Sequence, residues 1–304
     1  ASYYTHTAQF LTPFHFILPK GLALTAGALT VIAIVAVIVQ LVADNIQQLT
    51  ENAPVFRDTL REDLPALAAR FGLELPDTFE EVIDRMALQR FIAQTATALT
   101  AVAGSAGLIT IYVLFLLLEQ QGFDQKLERL FRDPVNAART RRVLAQIERR
   151  IETYLRIKTF MSLLTGGLSY LVLRLFDIEY AGFWALWIFL LNYIPNIGSI
   201  VAVAFPTLFS LVQYADMLLT LILLAFLASL QFVIGNLLEP RLMGHSLNLS
   251  PFVIIVSLAL WGTIWGVAGL FLCVPLTMIV VIICAQIPAT RPVAVLLSAD
   301  GRVD

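Results

Sequence analysis

YAGFWALWIFLLNYIPNIGSIVAVAFPTLFSLVQYA, residues 180–215, runs for 36 positions without a charged side chain. Crossing a bilayer takes about 20 largely apolar residues. The stretch is therefore longer than one straight spanning helix needs. Its middle holds Asn192-Tyr193-Ile194-Pro195-Asn196-Ile197-Gly198-Ser199, and Pro206 follows. Proline removes a helix donor and collides with the preceding turn. The stretch reads as a broken spanning helix or a re-entrant hairpin. Freed backbone groups are tolerated at membrane depth only where protein or a water-filled cavity covers them.

Towards the C-terminus, 217–238 makes another span and 251–290 is uncharged for 40 positions. The latter is also punctuated, by Trp261-Gly262-Thr263-Ile264-Trp265-Gly266-Val267-Ala268-Gly269 and then Pro275. Towards the N-terminus, 159–173 lies between Lys158 and Arg174 and extends to about Phe176 if Arg174 snorkels. Residues 95–118 and 21–43 are further spans. The whole chain of 304 residues is 59% hydrophobic and 14% charged, against roughly 25% charged in soluble domains. Mean hydropathy is +0.81. The fold class is all-α: a polytopic transmembrane helical bundle with two Gly/Pro-broken or re-entrant segments and amphipathic soluble helices.

Charge gives the orientation. Residues 119–158 hold 10 Lys+Arg against 6 acids, and 44–94 hold 10 Asp+Glu against 5 bases. Lys/Arg excess marks cytoplasmic loops. The expected organisation is an N-terminal membrane segment over 1–43, extracytoplasmic amphipathic helices over 44–94 and a transmembrane helix over 95–118. Basic cytoplasmic helices over 119–158, a transmembrane core over 159–290 and a cytoplasmic tail over 291–304 follow. Ile46, Leu49, Ala53, Phe56 and Leu60 begin one helical apolar stripe. Val143, Leu144, Ile147, Ile151 and Tyr154 form another, ringed by arginines that read as a solvated or headgroup-facing surface. Ala-Ser-Tyr-Tyr at the start lacks an initiator Met and a basic leader, so the sequence is expected to begin inside a longer gene product.

Common enzyme machinery is missing from the sequence. There is no Gly-x-x-x-x-Gly-Lys-Ser/Thr loop for ATP-driven pumping and no His-Glu-x-x-His. His6, His15 and His245 make no metal-ligand cluster. Gly104-Ser105-Ala106-Gly107 reads as close helix packing rather than a nucleophile turn. Cys273 and Cys284 are too far apart on one helix for a disulfide. No basic run suits nucleic acid, and no cofactor or metal is implied. What remains suits a transporter: two interrupted apolar stretches on either side of a polar insert, Asn236 to Pro251. That insert carries Glu239 and Arg241, the only acid and the only base between Asp216 and Arg291. An ionisable pair among membrane-length segments is by default a functional site. Glu239 suits proton or cation coupling, and Arg241 suits its charge partner or an anionic contact. The competing role is a structural ion pair at a membrane boundary. At the first break, Pro195 is expected to leave a backbone carbonyl free. Asn192 and Asn196 are expected one helical turn apart before the break, offering two amides to a neutral polar solute or a partly dehydrated cation.

Asn192-Tyr-Ile-Pro-Asn-Ile-Gly-Ser199, Gln231, Asn236-Leu-Leu-Glu-Pro-Arg-Leu-Met-Gly244, Leu249-Ser-Pro251, Trp261-Gly-Thr-Ile-Trp-Gly-Val-Ala-Gly269 and Val274-Pro275 together resemble the AI-2E family. These are the autoinducer-2 exporter-like, or PerM-like, bacterial membrane proteins. The resemblance is specific over about 154–285 and weaker over 8–153. It implies a multi-pass inner-membrane secondary transporter. Family members open with a helical hairpin before the equivalent of Lys20; this sequence departs from that, with only Ala8–Pro19 as the end of such a hairpin and the first helix expected to be missing. Family members export autoinducer-2 or exchange Na⁺ or Li⁺ for H⁺, and assemble as homo-oligomers, pentamers among them. The implied partners are membrane lipid and a small polar solute, H⁺ or Na⁺. The site residues carried over are Asn192, Pro195, Asn196, Gly198, Gln231, Glu239, Pro240, Arg241, Gly244, Pro251, Gly262, Gly266 and Gly269. Rival readings of another class are a passive oligomeric channel and a membrane scaffold.

Overall fold

The computed structural model describes residues 133–243 and 248–302, with a few single helical positions before them. The helices from residue 133 on belong to one compact unit of the chain. The expected spans at 21–43 and 95–118, the acidic segment 44–94, most of 119–132 and the small-residue run at Gly104 lie outside the described residues, as do Gly244 and His245.

The described residues are helical, with no strand among them. α1, Pro134–Leu175, is 42 residues long, or about 63 Å. Asp133 caps it by accepting the Val135 N–H, and Pro134 fills the first turn, where no donor is needed. Its length is about twice the hydrocarbon core, so the basic stretch ending at Lys158 and the span beginning at Thr159 are one continuous helix. Arg174 sits in its last turn, where a cation suits the helix dipole.

Beyond α1 come two hairpins. α2 (Ala181–Leu191) and α3 (Ile197–Tyr214) pack together around the first break. α6 (Pro251–Trp265) and α7 (Val267–Gln286) pack around the second. Between the hairpins lies α4 (Met217–Phe232), capped by Asp216, whose carboxylate accepts the Leu218 and Leu219 N–H groups. A π-helical turn, Val233–Leu238, carries α4 on into the short α5 (Glu239–Met243). α8 (Arg291–Leu297) closes the chain. Among the described residues, Ile197–Tyr214, Met217–Met243 and Val267–Gln286 are long and apolar enough to cross a membrane. α2 and α6, at 11 and 15 residues, reach only about 16 and 22 Å.

α1 packs against α2, α4 and α7. Its buried side is a polar line at helical spacing: Lys158, Ser162, Thr165 and Ser169. Gly166 lets the α2 backbone approach, since a Cβ there would stand 3.0 Å from Ala185 O. The main core joins Tyr154, Ile194, Met243, Leu258, Cys273, Val274 and Met278, from α1, the first break, α5, α6 and α7. Leu163, Leu171, Leu218 and Phe226 are exposed apolar side chains on α1 and α4.

The tail is bound to the connector before α6. Ser250 N–H donates to Leu297 O, Ala299 N–H to Asn248 O and the Asn248 amide to Arg302 O. Asp300 is held below its ordinary carboxylate value of 3.8, chiefly by the Arg302 backbone N–H.

Candidate functional site at the first helix break

The first break turns the chain within five residues. Ile194 N–H donates to Leu191 O at 2.9 Å and Ile197 N–H to Pro195 O at 2.6 Å. Asn196, at φ 58° and ψ −63°, is the centre of a γ-turn of the rare, strained kind. Two expectations are corrected here. The carbonyl four residues before Pro195, Leu191 O, is taken by Ile194 rather than left free. Asn192 and Asn196 are not a turn apart on one helix; they flank the break, Asn192 closing α2 and Asn196 opening α3. Asn192 is buried and its amide donates to Ser162 Oγ on α1 at 3.0 Å. Gly198 is required by space: a Cβ would stand 1.9 Å from Leu191 O.

Beside this turn lies a cavity of about 510 Å³. That is the size of a small-molecule pocket. α1 contributes Tyr154 and Lys158; the break contributes Asn192, Ile194, Pro195 and Asn196; α3 adds Ser199, Ile200, Val203 and Ala204. The α4–α5 wall supplies Leu224, Ala228, Gln231, Phe232, Gly235, Asn236 and Glu239, and the second hairpin only Ile254 and Val274.

Pro240 shapes that wall. A proline ring collides with the carbonyl four residues back, here Asn236 O. The turn before it is widened, so that Glu239 N–H reaches Ile234 O, five residues back. π turns of this kind recur at functional sites. Asn236 and Glu239 both come to the cavity wall at this turn.

The charge partner expected for Glu239 is corrected as well. Its Oε1 pairs with Lys158 Nζ at 2.5 Å, while Arg241 is exposed. The side chains of Lys158 and Glu239 are only 6% and 16% exposed, so this is a buried ion pair, 81 residues apart in sequence. Removing one partner of such a pair typically costs about 3–5 kcal/mol, because the other charge is left buried alone.

Of the carried-over residues, Asn192, Pro195, Asn196, Gln231 and Glu239 meet at the cavity. Gly198 and Pro240 are not among its lining residues. Arg241 and Pro251 are exposed and do not line it. Gly262, Gly266 and Gly269 belong to the second break. Gly266 turns the chain at φ 61°, ψ −137°. A Cβ on Gly269 would lie 1.8 Å from Trp261 O, and one on Gly262 would lie 2.8 Å from the tip of Leu270. Nearby, Trp261 Nε1 donates to Thr277 Oγ1, which bonds Ser257 Oγ. Sequence reasoning missed Tyr154, Lys158 and Asn236 as cavity residues. The signal for Lys158 was the polar line Lys158, Ser162, Thr165, Ser169, which carries the charge onto the buried side of α1.

Comparison with known proteins gives this arrangement its class. Residues 6–289 match the AI-2E family transporter family, and the chain belongs to it. It is 33% identical to the AI-2 transport protein TqsA of Escherichia coli K12, over 92% of this chain and 81% of TqsA. A relative from Haemophilus influenzae is 30% identical over 92% of this chain and 82% of its own length. YhhT, a transport protein of Escherichia coli K12, is 30% identical over 85% of this chain and 74% of its own length. The chain is a membrane transport protein, not an enzyme.

Proposed function

We propose that the chain is a multi-pass inner-membrane secondary transporter that exports a small, uncharged polar solute by alternating access, and that the cavity beside the first break holds the solute. The observation that carries this reading is the closed Lys158–Glu239 pair on the wall of a 510 Å³ cavity. Together the two charges are neutral. A charged solute would have to draw one of them away and leave the other, largely buried, without its partner. An uncharged solute with several oxygens leaves the pair intact and uses the amides and hydroxyls of Asn192, Asn196, Asn236 and Ser199. The relative TqsA is named for AI-2 transport, which makes AI-2 the first solute to test.

The Glu239 carboxylate in the same wall favours a second reading, exchange of Na⁺ or Li⁺ for H⁺, in which the cation takes the place of the Lys158 ammonium. Lipid and further copies of the chain are the partners proposed to cover the exposed apolar side chains of α1 and α4. The test is efflux of AI-2 from proteoliposomes containing only this protein, with Na⁺ or Li⁺ added as competitor. Saturable efflux that the cations leave unchanged supports the neutral-solute reading. Competition by millimolar Na⁺, or Na⁺-driven proton movement without AI-2 efflux, selects the antiporter. Unsaturable flux indicates a channel, and no flux of either kind indicates a scaffold.

A further inference from the structure

Gln231 stands apart from the other polar groups of the cavity. Its side chain is 8% exposed, and Nε2 is buried with no hydrogen-bond partner. Buried amide nitrogens are nearly always paired, and an unpaired one calls for an explanation. Several polar groups of the cavity already have protein partners: Lys158 with Glu239, Asn192 with Ser162, and Ser199 with Asn196 O. Gln231 lies on the same α4–α5 wall as Gly235 and Glu239, at steps of four residues.

Gly235 is the second observation. It lines the cavity within the π turn, has no positive φ, and a Cβ built on it would meet nothing within 4 Å. Unlike Gly198 and Gly269, it is not held to glycine by a neighbouring backbone. It leaves a bare patch of open space one turn beyond Gln231.

We infer that Gln231 is the specificity-determining residue of the cavity, donating through Nε2 to a carbonyl or hydroxyl oxygen of an uncharged solute that lies over the Gly235 backbone. This rests on the neutral-solute reading above and deepens it. A solute with no acceptor at that point leaves Nε2 unpaired and is rejected, as sites built to hydrogen-bond a substrate oxygen reject analogues lacking it. Gln231 touches the solute only to hold it, so losing the donor weakens binding without slowing the carrier.

Two variants and two readouts test this. In proteoliposomes loaded with AI-2, Gln231→Met, which keeps the length and removes the donor, should raise KM about tenfold with kcat within about twofold. Gly235→Ala should raise KM as well, with wild-type folding. In solute-free protein, Gln231→Met should raise Tm by about 2–4 °C, because an unpaired buried donor is replaced by an apolar group. A fall in Tm would mean that the fold itself uses the Gln231 amide, and the inference would be overturned. Saturable wild-type efflux with an unchanged KM in Gln231→Met overturns Gln231 alone. Absence of wild-type AI-2 efflux overturns the parent reading and this inference with it.

Discussion

The two hairpins share one sequence signature, an over-long apolar stretch interrupted by small or helix-breaking residues, and use it differently. The break between α2 and α3 is polar and strained. It places Asn192, Pro195 and Asn196 on a cavity wall that also carries a buried ion pair. The break between α6 and α7 is a glycine turn. Gly262, Gly266 and Gly269 let two short-looped helices touch, and none of them reaches the cavity. An interruption in a membrane helix therefore does not by itself mark a transport site. The polar amides flanking the first break, and the charges brought to it from elsewhere, make the difference.

The largest expected effects are common to both breaks and so concern packing alone. Gly198→Ala and Gly269→Ala each drive a methyl into a backbone carbonyl, at 1.9 and 1.8 Å. Each should cost about 4 kcal/mol or more and abolish folded protein in detergent size-exclusion chromatography. Normal elution of either variant would mean that its hairpin is not packed as described. The next effect belongs to the first region only. Lys158→Met strands Glu239 and should destabilise by about 3–5 kcal/mol, while Lys158→Met combined with Glu239→Gln should recover most of that loss. Thermal melts of the two proteins check it, and equal losses would deny the pairing.

A smaller pair of changes should have opposite signs at the two breaks. Gly266→Ala puts a side chain at φ 61°, ψ −137° and should cost about 1–3 kcal/mol. Asn196→Gly relieves the γ-turn at φ 58° and should stabilise by about 1 kcal/mol. A loss of stability in Asn196→Gly would show that the Asn196 side chain, not its backbone, holds the turn. The smallest effect lies outside both breaks. Asp300 has a lowered folded value, so its contribution is present at neutral pH and is lost as pH falls below 3.8 towards that value. The melting curves of Asp300→Asn and the unchanged protein should converge in that acid range and differ only slightly above it.

The reach of the sequence follows the same division. The spans and breaks were legible because charge-free length, proline and glycine act locally, and residues 192–196 and 266 do interrupt the two long stretches; the caps Asp133 and Asp216 that start α1 and α4 were found only in the structure. Five cavity residues were legible from the family motif. Lys158 was not, because its pairing with Glu239 spans 81 residues and it follows a run of arginines that read as a solvated surface. The π turn was not legible either, though Pro240 after an unbroken apolar run was its local cause. Arg241 looked like the partner of Glu239 because it is close in sequence. On α5, two residues apart, the side chains point in different directions, and Glu239 takes the inward one.

Solute protection of single cysteines separates the two regions most directly. In a background with Cys273 and Cys284 replaced by Ala, Ser199→Cys places a thiol in the cavity and Thr263→Cys places one at the second break. AI-2 is expected to slow maleimide labelling of the cysteine at 199 several-fold, in a saturable way, and to leave labelling at 263 unchanged. Protection at 263 with none at 199 would contradict the assignment of the solute to the first break.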